Sequence, residues 1–138
     1  MNALYTAHVH VTGGRKGHVK SSDGLLDLKL APPKELGGDS SATNPEQLFA
    51  AGYGACFESA IRHVANNDAI DLHDVAIDSE VELYKTDTGF KLEVTLNIHI
   101  HGVELRVAEE LVNKAHQVCP YSQAVKGNID VVLNVNQA

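Results

Sequence analysis

Tryptophan is absent from this chain, methionine occurs once, and aromatic residues make up only 5%. Any core must therefore be mainly aliphatic. Cysteine occurs twice, too rarely for the disulfide framework of a small secreted domain. No stretch approaches the ~18 consecutive apolar residues of a membrane span. The N-terminus, Met1 to His8, has neither a basic region nor an uninterrupted apolar stretch, so a soluble, cytoplasmic protein is expected. Positive charge is also scarce, with 11 Lys plus Arg against 18 Asp plus Glu and a formal net charge of −7. Such a surface repels nucleic-acid phosphates and anionic headgroups, which removes nucleic acid and membrane as expected partners.

What is present suits an ordinary globular domain. Over 138 residues, 43% are hydrophobic and 21% charged, which predicts a single domain over 1–138. A chain of this size buries about two-thirds of its unfolded surface, enough for a core without staples. From Ala3 to Val11 apolar and polar residues alternate, predicting a strand with one buried face. The segments 16–20 and 25–30 flank Ser22-Asp23-Gly24, whose Asp-Gly pair favours a tight hairpin, so the first third reads as an antiparallel meander.

Asn44-Pro45-Glu46 then offers an Asn N-cap and a Pro at the first helical position. The helix it opens is expected to run to about Ala65. Leu48, Phe49, Ala51, Tyr53, Ala55, Cys56, Phe57, Ala60, Ile61 and Val64 cover nearly its whole circumference, predicting a buried helix that threads the middle of the fold. Gly52 and Gly54 inside it cost ~1 kcal/mol each relative to Ala, a cost that close approach of another backbone would offset. Two alternating segments, 75–83 and 90–100, form a long hairpin around Thr86-Asp87-Thr88-Gly89. An amphipathic helix marked by Leu105, Ala108, Leu111, Val112, Ala115 and Val118 stops at Pro120, and Ile129 to Val135 forms a last strand. The pattern is α+β and lacks the regular alternation of a parallel sheet.

Cys56 on the apolar helix and Cys119 at the end of the amphipathic one are too far apart in sequence for a CxxC metal motif. Spacing alone leaves two readings open: small buried hydrophobes or a reactive intracellular pair. A reactive thiolate needs a cation, and the chain has only Arg15, Arg62 and Arg106 as arginines. Arg15, in Gly13-Gly14-Arg15-Lys16-Gly17, is either a solvated turn charge or a guanidinium presented into a cavity. Glu46 suits the N-terminus of its helix by charge alone, or serves to anchor an Arg by a bidentate pair. Ten residues of helix separate Glu46 from Cys56, about 15 Å, so Glu46 reaches the thiol only through a long intermediary such as Arg15. His8 and His10, and His99 and His101, read as solvent-facing strand histidines rather than a metal site; His63 and His116 say little alone.

Asn44-Pro45-Glu46-Gln47-Leu48-Phe49-Ala50-Ala51-Gly52-Tyr53-Gly54-Ala55-Cys56-Phe57 and His116-Gln117-Val118-Cys119-Pro120-Tyr121-Ser122, followed by Gly127-Asn128, closely resemble the two signatures of the organic hydroperoxide resistance proteins within the OsmC-like family. The resemblance covers essentially the whole chain, including Gly13-Gly14-Arg15. Gly54 stands where Ala is common and touches no reacting group. The resemblance implies an OsmC-like fold, with antiparallel sheets around a buried central helix in an intertwined homodimer. It implies a thiol peroxidase that reduces organic hydroperoxides to alcohols in oxidative stress defence, with no cofactor and no metal. By motif position Cys56 is the peroxidatic cysteine, Cys119 the resolving one, Arg15 the activating guanidinium and Glu46 its anchor; dihydrolipoyl groups of lipoylated proteins are the implied reductant. Two alternatives stay open: a broader-specificity, osmotically induced peroxidase, and a non-catalytic redox sensor or lipid-binding module.

Overall fold

The computed structural model describes residues 1–136. The chain forms two compact units, one of Met1–Leu48 and one from Phe49 onward, with the division inside the first long helix.

In the first unit, β1 (Val9–Thr12), β2 (His18–Ser21) and β3 (Asp27–Lys29) form an antiparallel sheet in that order. Val11 pairs with Val19, and Val19 with Leu28. The Asp-Gly turn forms where the sequence places it. Gly24 has φ 77°, its N–H donates to the Ser21 carbonyl at 3.0 Å, and the Asp23 carboxylate accepts the Ser21 hydroxyl at 2.6 Å. β1 is shorter than the alternation from Ala3 suggests, and all four of its residues are exposed. Alternation marks which face wants cover, but nothing in this unit covers Val9 or Val11. The unit buries few apolar side chains: Val19, Leu30 and Ala31.

The second unit holds the main core. α1 (Pro45–Asn67) begins in the first unit and continues into this one. β4 (Val75–Thr86) and β5 (Gly89–Ile100) make the long antiparallel hairpin in unbroken register from Val75↔Ile100 to Thr86↔Gly89. β6 (Val131–Asn136) lies beside β5, and that pairing is parallel. The sheet is therefore mixed rather than purely antiparallel, because the chain between β5 and β6 crosses over through helices instead of a tight turn. Those helices are α2 (Leu105–Val118) and α3 (Pro120–Val125). Pro120 does end α2, but it occupies the first position of a further short helix, where its missing N–H costs nothing.

Tyr53, Phe57, Ala60 and Ile61 of α1 pack with Val94, Leu96, Ile98 and Ile100 of β5 and with Ala108, Val112 and Ala115 of α2. α1 is not covered all round: Ala51, Ala55 and Ser59 are exposed. Counting alanines as apolar overstates burial, since each offers little area to remove from water. Close approach at the helix glycines comes from side chains, not backbone. A Cβ on Gly52 would meet the Tyr121 hydroxyl at 3.0 Å, and one on Gly54 would meet Ser79 Cβ at 3.4 Å.

Candidate active site

Arg15 is displayed by a 3₁₀ turn, Gly14–Lys16, between β1 and β2. The turn is tight enough to need its glycines. Gly13 sits at φ 73°, and a Cβ on Gly17 would fall 1.6 Å from the Thr12 carbonyl oxygen. Glu46 is held by a well-capped helix start, where the Asn44 side-chain oxygen accepts the Gln47 N–H at 2.9 Å. The two side chains meet as a fork: Arg15 Nη1 donates to Glu46 Oε1 at 2.6 Å and Nη2 to Oε2 at 3.0 Å. The Glu46 hydrogen bond raises the Arg15 pKa further above its ordinary value, with burial opposing. A carboxylate engaged on both oxygens fixes the plane of the guanidinium and leaves its remaining N–H groups free to face another anion.

In the second unit the structure brings Cys56 and Cys119 together. Both are free thiols, and the Cys119 thiol donates to Cys56 Sγ at 3.7 Å. Cys56 is partly exposed, whereas Cys119 is fully buried. Cys119 is the hinge between α2 and α3, with φ −63° and ψ 122°. Its N–H bonds Ala115 O at 2.8 Å, and its carbonyl accepts the Gln123 N–H at 3.0 Å. Burial pushes the Cys56 thiol up, the neighbouring Cys119 adds to that, and the backbone N–H of Tyr121, donated to the sulfur, opposes it. An accessible sulfur beside a concealed one is suited to sequential chemistry: one meets the reagent, and the other meets only the product.

A polar chain adjoins the pair. Tyr53 Oη and Ser122 Oγ, both buried, lie 2.7 Å apart, and Ser122 Oγ lies 2.9 Å from His116 Nδ1. Burial holds His116 below its ordinary pKa, with the Lys126 charge adding to this, so the imidazole is neutral at pH 7. Burial likewise raises the Tyr53 pKa, the Ser122 hydrogen bond opposes it, and Cys119 and Cys56 add smaller upward contributions. Tyr121 stacks at an angle against Tyr53, with ring centroids 5.8 Å apart, filling the space left open by Gly52. The sequence placed Tyr53 on the buried helix and Tyr121 and Ser122 in the second motif but gave none of them a role in the site. The signal was present, however: Tyr53 lies three residues before one cysteine and Ser122 three after the other.

The strand histidines divide. His10 and His99 lie in strands, whereas His8 and His101 fall just beyond the ends of β1 and β5; His8, His10 and His101 are exposed, while His99 is half-buried and lies 3.1 Å from the Asp78 carboxylate, a partner the sequence did not reveal. Among the described residues no group of three or more His, Cys, Asp or Glu is placed to hold a metal ion. No helix among them is long and apolar enough to cross a membrane.

Residues 37–134 match the family described as OsmC-like protein. The chain belongs to the OsmC-like family. It is 52% identical over 134 residues to the organic hydroperoxide resistance protein of Xanthomonas axonopodis pv. citri, covering 96% of this chain and 94% of that one. It is 47% identical to the organic hydroperoxide resistance protein OhrB of Bacillus subtilis, covering 96% of this chain and 98% of that one. Among solved structures, an organic hydroperoxide resistance protein from Legionella pneumophila superimposes with a TM-score of 0.95 at 62% identity, covering 98% of this chain and 99% of that one. The α+β architecture described above is thus the OsmC-like fold.

Proposed function

We propose that this protein is a thiol peroxidase that reduces organic hydroperoxides to the corresponding alcohols. The observation carrying this reading is the pair of free thiols 3.7 Å apart, one accessible and one buried. The names of the relatives supply the substrate class. The Cys56 thiolate attacks the distal peroxide oxygen; the O–O bond breaks, the alkoxide takes up a proton to leave as alcohol, and Cys56 becomes a sulfenic acid. The Cys119 thiol then displaces the hydroxyl: an S–S bond forms, the S–O bond breaks, and the thiol proton leaves with the hydroxyl as water. A dithiol of the dihydrolipoyl type, carried on lipoylated proteins, restores both thiols by exchange. In this reading Arg15, oriented by Glu46, stabilises the Cys56 thiolate. Apolar surroundings favour fatty or aromatic hydroperoxides over hydrogen peroxide, by ~0.8 kcal/mol for each CH₂ buried.

The reading includes a homodimer. β1 exposes both of its valines and α1 exposes Ala51 and Ala55, apolar surface of the kind a second copy covers in a two-fold assembly. The deciding experiment measures turnover of cumene hydroperoxide and of hydrogen peroxide with dihydrolipoamide and, separately, glutathione. Many turnovers with the organic peroxide and the dithiol are expected. A single equivalent consumed regardless of reductant would overturn the reading in favour of a redox switch.

A further inference from the structure

The thiol pair has a polar counterpart alongside it. On α1, Tyr53 precedes Cys56 by three residues, close to one helical turn, so the two side chains share a face. Across from them, Ser122 follows Cys119 by three residues over the Cys119-Pro120 hinge into α3. Two rungs therefore connect the same two stretches of chain: Cys56 to Cys119 at 3.7 Å and Tyr53 to Ser122 at 2.7 Å. The second rung continues to His116, at the end of α2 and three residues before Cys119, so the Ser122–His116 bond at 2.9 Å closes the chain on both sides of that cysteine. Ser122 and Tyr53 are at most 2% exposed, and their hydrogen bond has no competition from water. Losing one partner there leaves the other unpaired in the interior.

We propose that Tyr53 and Ser122 are positioning residues for the resolving step, their hydrogen bond fixing the hinge so that Cys119 stays in line with Cys56, with His116 bracing Ser122 from α2. The proposal rests on the peroxidase reading. The step concerned is Cys56–SOH plus Cys119–SH giving the disulfide and water. It competes with a second hydroperoxide, which would oxidise the sulfenic acid to sulfinic acid and leave another alcohol. Neither Tyr53 nor Ser122 takes part in the peroxide attack. A disulfide demands S–S close to 2.05 Å with a defined dihedral angle, so a hinge free to wander delays closure far more than it delays the first oxidation.

The test is rapid-quench oxidation by cumene hydroperoxide with intact-mass analysis, separating sulfenic acid, disulfide and sulfinic acid in wild type, Tyr53→Phe, Ser122→Ala and the double variant. Each single variant should consume the first equivalent of peroxide within twofold of the wild-type rate. Each should close the disulfide about tenfold more slowly, with sulfinic acid accumulating on Cys56. The double variant should be no slower than Ser122→Ala, because that single variant already loses both the Tyr53–Ser122 and the Ser122–His116 bonds. Closure at the wild-type rate, additive losses in the double variant, or equal slowing of both steps would overturn the proposal. Ser122→Ala, the smaller change, carries the test should Tyr53→Phe not fold. If the hydroperoxide leaves wild type with neither sulfenic acid nor disulfide, the peroxidase reading itself fails. Positioning is then read from disulfide closure driven by diamide, where the variants should still be about tenfold slower and equal rates would overturn it.

Discussion

Replacing Gly17 by Ala tests whether the Gly13–Gly17 turn exists to display Arg15. The added Cβ would stand 1.6 Å from the Thr12 carbonyl oxygen, 2.6 Å from its carbon and 2.7 Å from Gly13 Cα. All three are backbone atoms, so no rotamer change relieves the clash and the turn itself must open. Overpacking typically costs 1–3 kcal/mol, and a clash against main chain falls at the upper end, about 3 kcal/mol. Loss of the Arg15–Glu46 fork adds less than about 1 kcal/mol, since the Arg15 side chain is 41% exposed and partly screened. Gly14→Ala is the control. A Cβ there meets nothing within 4 Å, and only the positive φ of 56° penalises it, at about 1 kcal/mol.

At roughly 3–4 °C per kcal/mol for a chain of this length, Gly17→Ala should lower Tm by about 10 °C and Gly14→Ala by about 3–4 °C, compared at one protein concentration. Calorimetry gives those values, and a hydroperoxide assay below both transitions gives the functional effect. Gly17→Ala should lose activity to the extent Arg15→Ala does, while diamide still closes the Cys56–Cys119 disulfide, because both cysteines lie in the other unit. A Gly17→Ala protein with wild-type Tm and turnover would refute the reasoning from the turn to the guanidinium.

Cys56→Ser should abolish peroxide consumption; Cys119→Ser should permit one turnover and then sulfinic acid on Cys56, and mass spectrometry finding no such product would count against the assigned roles. Arg15→Ala should raise the pH at which the Cys56 thiolate absorbance appears and slow peroxide attack without unfolding the protein, so coincident titration curves would sink the role given to Arg15. His116 binds a proton more weakly when folded than unfolded, so its contribution to stability is present above the ordinary His value of about 6.5 and is lost as pH falls from there toward the folded value. His116→Gln should flatten that part of the stability–pH curve measured by urea unfolding, and an unchanged acid slope would remove His116 from the account.

Local chemistry was legible in the sequence; long-range pairing was not. Asn44-Pro45-Glu46 announced the start of α1 because a cap and a first-turn proline are decided by neighbours. The same holds for the Asp23-Gly24 turn and the alternation of β4 and β5. The parallel partner of β5 depended on where α2 and α3 return the chain, which no window of residues encodes. α3 was hidden because proline reads as a stop when it also serves as a start. The cause of the helix glycines was misjudged for a related reason: the bulky neighbour filling the space at Gly52 is Tyr121, sixty-nine residues away. The sixty-three positions from one cysteine to the other said nothing about their separation in space. Their pairing emerged only when both motifs were taken as parts of one family signature.

The electrostatics of each unit, taken by itself, bear on the proposed chemistry. Within its own unit Cys56 is held above its ordinary pKa by burial, with one amide opposing, so at neutral pH it is a thiol and a poor nucleophile. The first unit holds a guanidinium whose positive charge is reinforced by Glu46 and whose orientation is set by two hydrogen bonds. On the proposed reading, fast peroxide attack draws on both groups. A buried thiol without a cation resists oxidation, and an oriented arginine without a thiol has nothing to activate. α1, which carries both Glu46 and Cys56, ties the two together in the sequence across ten residues of continuous helix. On the proposed reading, reactivity toward hydroperoxide then depends on the guanidinium as well as on the cysteine, and without that cation Cys56 is held as a poorly reactive thiol by its burial.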